Sequence, residues 1–126
     1  MPTILDFEPI PEWLVDEVYL TVRQELFALC IPEHLEGFSY LCSAIVKTAQ
    51  DPECARRVTK FLYPELALEA NTSPSCVERS MRTAISAGWQ RGGQRALDER
   101  LGCTFSRRPT NSQFIRLVAN AIRHSS

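Results

Sequence analysis

The sequence predicts an all-α protein, a single domain of about six to seven helices arranged around a helix-turn-helix. Apolar residues recur at i, i+4 spacing along most of the chain, which is the period of an amphipathic helix. No stretch alternates apolar and polar residues over the length of a strand, and the β-branched residues are scattered. The chain has 126 residues, 44% of them hydrophobic, and is therefore long enough to bury one core.

The first expected helix, at about residues 12 to 29, lies in an N-terminal extension that covers residues 1–30. Its apolar stripe follows i, i+4 spacing through Leu14, Val18, Val22, Leu26 and Leu29. Ile31-Pro32 ends the helix, because proline disfavours helical backbone in the residue before it. We expect the stripe to pack on the chain's own core, and a contact in a homodimer is the alternative.

Residues 31–124 are expected to form the main domain, with helices at about residues 38 to 49, 51 to 62 and 65 to 70. Pro52 and Pro64 then stand in the first helical turn, where the missing N–H costs nothing. A longer helix at about 74 to 91 follows, with Ser73 as its N-cap and Gly92-Gly93 at its end.

The C-terminal part is expected to contain a short helix at about 94 to 101 and a loop over 102–110. Asn111 or Ser112 is expected to cap a last helix that runs to about residue 124.

A short helix, a turn of about four residues and a longer amphipathic helix, at about 64 to 91, have the pattern of a helix-turn-helix. In this motif the N-terminal part of the second helix enters the major groove of DNA. Arginine can bind guanine O6 and N7 together, and glutamate can accept from cytosine N4. The alternative is a helix pair that only packs. The expected base or groove contacts are Ser75, Cys76, Glu78, Arg79, Arg82 and Thr83.

The charges divide the chain into an acidic and a basic part, although the formal net charge is only −1. Residues 1–77 carry a net charge of −7, whereas residues 78–126 carry +6, and all nine basic residues of the second part are arginines. Such a basic face is typical of a DNA-binding surface, and chance clustering is the alternative. The expected phosphate contacts are Arg91, Arg107, Arg108, Asn111 and Ser112.

Several short sequence motifs follow one another along the chain. They are GFSYL at 37–41, LYPELA at 62–67, VER at 77–79, WQRG at 89–92 and PTNSQFI at 109–115. Through this combination the chain, from about residue 31 to 123, resembles the C-terminal effector domain of the bacterial sporulation-initiation response regulator. The resemblance implies about six helices around a helix-turn-helix, sequence-specific binding of double-stranded DNA, tandem copies on DNA, and contact with RNA polymerase.

By position, the resemblance assigns Glu78 and Arg79 to contacts with bases or backbone in the groove, and Arg82 to the same motif. Two positions depart from the pattern: Cys76 stands where the family usually has an arginine, and Thr83 where it usually has a histidine. Losing one bidentate arginine costs about 1–3 kcal/mol of base discrimination. The family's target sequence is therefore not carried over to this chain.

The family regulator also carries a phosphorylated receiver domain, for which the roughly 30 residues before the effector-like part are too few. Control by phosphorylation within this chain is therefore not expected. The rival interpretation is a protein-interaction module that kept the fold, lost DNA recognition and antagonises a full-length regulator. The departures at Cys76 and Thr83 favour this rival, whereas the retained arginines oppose it.

Enzymes and membrane proteins are not indicated by the sequence. It contains no phosphate-binding loop, nucleophile elbow or paired-carboxylate motif. The five cysteines show no metal-ligand or disulfide spacing, so no cofactor or metal is expected. No apolar run approaches the roughly 18 residues of a membrane span, and the N-terminus lacks a signal-peptide pattern. We therefore expect a cytoplasmic protein.

Overall fold

The computed structural model describes residues 15–102 and 104–124 of the chain. Over these residues the fold is all-α, with no strand, and the predicted fold class is confirmed. The start of the first expected helix, with Leu14 of its stripe, lies outside the described residues, as does Cys103.

The helices follow one another with short connections. The α-helices are α1 (Val15–Ala28), α2 (Glu36–Gln50), α3 (Tyr63–Ala70), α4 (Pro74–Gly88), α5 (Gln94–Leu101) and α6 (Asn111–Arg123). A 3₁₀ turn (Pro52–Arg56) and a π turn (Val58–Leu62) lie between α2 and α3, and a second π turn (Trp89–Gly93) joins α4 to α5.

Helix α2 lies at the centre of the domain and packs against α1, α4 and α6. Phe38, Leu41 and Ile45 on α2 are at most 1% exposed, so this helix contributes a large part of the core. Gly37 allows a close approach, because a Cβ atom at this position would overlap the main-chain carbonyl of Ser80 on α4. Helix α2 thus packs against the apolar face of α4 and does not cover the opposite face of α4.

Helix α1 belongs to the same core. Val22, Leu26 and Leu29 are buried, and Val18 packs against them, so the described part of the predicted stripe faces the chain's own interior. Glu25 accepts two hydrogen bonds of 2.7 Å from the guanidinium of Arg100, which tie α1 to the end of α5.

The prediction of a single helix over residues 51–62 is wrong. Arg57, at φ −120° and ψ 38°, separates a 3₁₀ turn from a π turn in which the Leu62 and Tyr63 amides donate five residues back along the chain. Pro64 has no N–H and its ring crowds the Lys60 carbonyl, which favours a widened turn just before it. The π turn therefore runs directly into α3, and Pro64 does not begin a separate helix.

Two helix ends also differ from prediction. Thr110, and not Asn111 or Ser112, is the N-cap of α6, because Thr110 and Gln113 exchange the two hydrogen bonds of a capping box. Helix α4 ends at Gly88, before the predicted residue 91. Gly92 has the expected positive φ of 100°, whereas Gly93 is right-handed and buried.

Candidate nucleic-acid interface

Helices α3 and α4 form the predicted helix-turn-helix. Helix α3 ends at Ala70; the next residue, Asn71, turns the chain with its left-handed backbone (φ 56°), and α4 begins at Pro74. The Ser73 hydroxyl accepts a hydrogen bond from the Cys76 amide at 3.2 Å, as expected of an N-cap, and Pro74 occupies the first helical position. The two helices pack directly against each other, so the turn fixes the direction in which α4 leaves the core.

Helix α4 has one apolar and one polar face. Its buried residues are those predicted for the core: Val77, Met81, Ala84, Ile85 and Gly88. Of the predicted groove contacts, Ser75, Arg79, Arg82 and Thr83 are exposed, whereas Cys76 and Glu78 are half-buried. The structure therefore brings all six predicted groove residues onto the face of α4 that points away from the core.

The charged groups on this face differ in their partners. A carboxylate oxygen of Glu78 accepts a hydrogen bond of 2.8 Å from Arg82, one helical turn later. Arg79 is exposed, and no carboxylate within the described ranges forms an ion pair with it. Of the two arginines, Arg79 is thus the one whose guanidinium is fully available to a ligand.

A buried polar junction lies beneath this face. The side-chain amide nitrogen of Asn111 donates to the hydroxyl of Tyr63 and to the main-chain carbonyl of Glu78, both at 3.0 Å. Burial raises the pKa of Tyr63, and the hydrogen bond from Asn111 opposes that shift. Because both amide hydrogens of Asn111 are engaged inside the protein, its side chain has no donor left for a phosphate.

The loop before α6 is held against the helix-turn-helix. The Phe105 amide donates to Asp98 and its carbonyl accepts from Gln94, both at 2.9 Å, which fixes the start of the loop on α5. Further along, the Arg108 guanidinium donates to the Ser86 hydroxyl on α4. Arg107 is exposed. This anchoring places two of the predicted phosphate-binding arginines near α4.

Two further predicted phosphate contacts, Ser112 and Arg91, lie in different places. The hydroxyl of Ser112 donates to the Ala55 carbonyl at 3.4 Å and is half-buried at the base of α6. Arg91, beyond the end of α4, lines a separate depression with Phe27 and His34. The structure therefore does not bring Arg91 together with Arg107 and Arg108.

The structure also brings together basic residues that the sequence analysis did not single out. A groove of about 880 Å³ runs between the 55–63 segment and the 108–112 loop, and Arg82 of α4 lines it. Three exposed cations of the first segment, Arg56, Arg57 and Lys60, line the same groove. Little in the charge pattern pointed to them, because they belong to the part of the chain with a strongly negative net charge.

Residues 15–102 and 104–124 contain no group of three or more histidine, cysteine, aspartate or glutamate side chains placed to hold a metal ion. Every helix in that part of the chain is too short or too polar to cross a bilayer.

The chain was also compared with known protein families. The model of the family described as sporulation initiation factor Spo0A C terminal matches residues 22–122, which is most of the chain and includes the whole helix-turn-helix. The family is that of the DNA-binding, regulatory domain of a sporulation regulator, and it is not an enzyme family. The chain therefore belongs to the Spo0A C-terminal family of DNA-binding effector domains.

Proposed function

We propose that the protein is a sequence-specific transcription regulator that reads the major groove of double-stranded DNA with α4. The observation that supports this most is the division of α4 into two faces. The apolar face is held by the core, and the polar face carries Ser75, Arg79, Arg82 and Thr83 in the open. A helix fixed in this way can enter the groove without unfolding any part of the domain.

Within this proposal the side chains have different roles. Arg79 reads a base, because its guanidinium is exposed and free to form the two parallel hydrogen bonds that guanine offers. Glu78 and Arg82 act as a pair, in which the carboxylate orients the arginine. Ser75, Cys76 and Thr83 offer short side chains that permit close approach, and Arg107 and Arg108 contact phosphates. Phosphate contacts by Arg91 and Ser112 stay predictions.

The test is selection of bound sites from a randomised duplex library, followed by titration of the selected and a random duplex at several salt concentrations. With about four to six phosphate contacts, the slope of log K against log salt is expected to be roughly −4 to −5. Recovery of one consensus, bound more tightly than random duplex, supports the proposal. A slope near zero, or no binding at about 50 mM salt, contradicts it.

A second candidate function is an interaction module that antagonises a full-length regulator without binding DNA. It is favoured by Cys76 and Thr83, the two positions at which this chain departs from the motif that the resemblance rests on. In that case the protein binds neither the selected nor the random duplex, yet lowers DNA binding by a full-length family regulator when the two are mixed. The same titration therefore separates the two functions.

The remaining partners are part of the proposal. The family resemblance suggests tandem copies on DNA and contact with RNA polymerase, and a homodimer is the alternative arrangement. We place the activity in the cytoplasm, since bacterial DNA lies there.

A further inference from the structure

The groove between the 55–63 segment and the 108–112 loop is strongly basic. We call it the basic groove. Of the carboxylates in the described residues, one, that of Glu78, lines it. The cations that line it are Arg56, Arg57, Lys60, Arg82 and Arg108.

In the part of the chain that the structure describes, few carboxylates pair with the cations of the basic groove. Arg82 is paired with Glu78, and Arg108 donates to a neutral hydroxyl. Arg56, Arg57 and Lys60 are exposed, and no carboxylate in residues 15–102 or 104–124 forms an ion pair with them. Like charges collected in one concave surface raise the local positive potential and attract an anion.

A nearby lysine shows the opposite arrangement. Lys47 on α2 lies 2.6 Å from a carboxylate oxygen of Glu65 and 3.0 Å from one of Glu69. Within residues 15–102 and 104–124, a lysine beside α3 is thus neutralised, whereas the three cations of the adjoining 56–60 segment have no carboxylate partner. This contrast indicates that the basic groove is complementary to a ligand outside the chain.

The walls of the groove are held at fixed positions. The Asn111 amide joins Tyr63 on one wall to Glu78 on α4, and Ser112 donates to Ala55 across the groove. A site with walls tied in this way loses little conformational entropy when it binds. Hydroxyl groups of Thr59 and Thr110 also line it and supply neutral donors beside the cations.

We propose that the basic groove binds the sugar-phosphate backbone of the duplex that α4 reads, with Arg56, Arg57 and Lys60 as phosphate-binding residues. Arginine, lysine and hydroxyl donors are the groups that bind DNA phosphates in proteins. The groove shares Glu78 and Arg82 with the polar face of α4, so a strand at the edge of the major groove passes along it. This inference rests on the proposed function and adds a second, sequence-independent contact surface to it.

The experiment compares the intact protein with Arg57→Gln/Lys60→Gln and the two single variants. Affinity for the selected and the random duplex is measured over a range of salt concentrations. Each lost phosphate contact is expected to flatten the slope of log K against log salt by about 0.9. At about 100 mM salt the double variant is expected to bind both duplexes roughly ten- to a hundredfold more weakly, with the preference between them unchanged.

Arg95→Gln is the matched control. Arg95 is 87% exposed on α5, pairs with Glu99 on its own helix and does not line the groove. This variant should keep the wild-type affinity and slope. Thermal melting of each variant shows that a loss of binding is not a loss of folding.

The outcomes separate the two proposals. If the wild-type protein binds no duplex at low salt, the proposed function fails, and the assignment of the groove fails with it. If the wild-type protein binds DNA and the double variant matches Arg95→Gln in affinity and slope, the groove assignment alone is overturned. An acidic protein segment would then be the occupant to consider.

Discussion

The amide of Asn111 on α6 donates a hydrogen bond to the main-chain carbonyl of Glu78 on α4 at 3.0 Å. Asn111 is 8% exposed, and the same amide nitrogen also donates to the hydroxyl of Tyr63. One side chain therefore connects the last helix, the start of the helix-turn-helix and the helix proposed to read DNA.

Replacing Asn111 by alanine is expected to lower the free energy of unfolding by about 1–3 kcal/mol, because the Tyr63 hydroxyl is left buried beside a smaller side chain. Urea denaturation measures the change. Asn120→Ala is the control, since Asn120 is exposed on the same helix. Equal stability of the two variants would show that the hydrogen bonds of Asn111 contribute nothing to the free energy of unfolding.

Arg79 and Arg107 are expected to affect DNA binding in different ways. Arg79→Ala removes a base contact and should reduce the preference for the selected duplex over random duplex by about 1–3 kcal/mol. Arg107→Ala removes a phosphate contact, and should weaken binding to both duplexes alike and flatten the salt slope by about one. Titration of both duplexes provides the measurement. An equal loss on both duplexes for Arg79→Ala would contradict the assignment of Arg79 to a base.

Cys76 is expected to be alkylated faster than Cys42 and Cys54 in the free protein. Cys76 is half-buried on the polar face of α4, whereas the other two thiols are buried, and burial raises the pKa of Cys42 to about 12. The reactive thiolate of Cys42 is therefore scarce at neutral pH.

Bound duplex should protect Cys76 from alkylation, since the proposed docking covers this side of α4. The half-buried Cys30 serves as an internal reference, because it lies outside the helix-turn-helix. Peptide mass spectrometry with and without duplex gives both rates. Equal reactivity of Cys76 in the two conditions would mean that α4 is not docked as proposed.

The variant Cys76→Arg introduces the residue type that the family resemblance leads us to expect at this position. It should shift the preference toward guanine at one position of the selected site by about 1–3 kcal/mol. Repeating the library selection with the variant measures the shift. An unchanged consensus would place position 76 away from the bases.

Gly37→Ala is expected to destabilise the domain by about 1–3 kcal/mol, the usual cost of overpacking a core. The added Cβ would overlap the Ser80 carbonyl and lie 2.8 Å from the Cβ of Ala84, so α2 and α4 would have to separate. Thermal melting measures the effect. Ser39→Ala, at an exposed position of the same helix, is expected to change little, and a similarly small effect of Gly37→Ala would rule out a tight contact here.

The sequence by itself determined the features that depend on local periodicity and local capping. The i, i+4 spacing of Val77, Met81 and Ile85 predicted the buried face of α4, and Ser73-Pro74 predicted its start. The same spacing predicted that Val22 and Leu26 face the core. These features follow from the positions of neighbouring side chains on one helix, and those positions are set by backbone geometry alone.

Only the tertiary structure decided which distant side chains meet. From the sequence, Asn111 looked like a cap or a phosphate contact, but its amide reaches Tyr63 and Glu78, which lie far from it along the chain. Likewise, Arg57 and Lys60 lie in the acidic part of the sequence, far along the chain from Arg82, yet the fold places all three on one groove. Such contacts depend on how the helices pack around α2, and packing is a property of the whole core that no local pattern of residues contains.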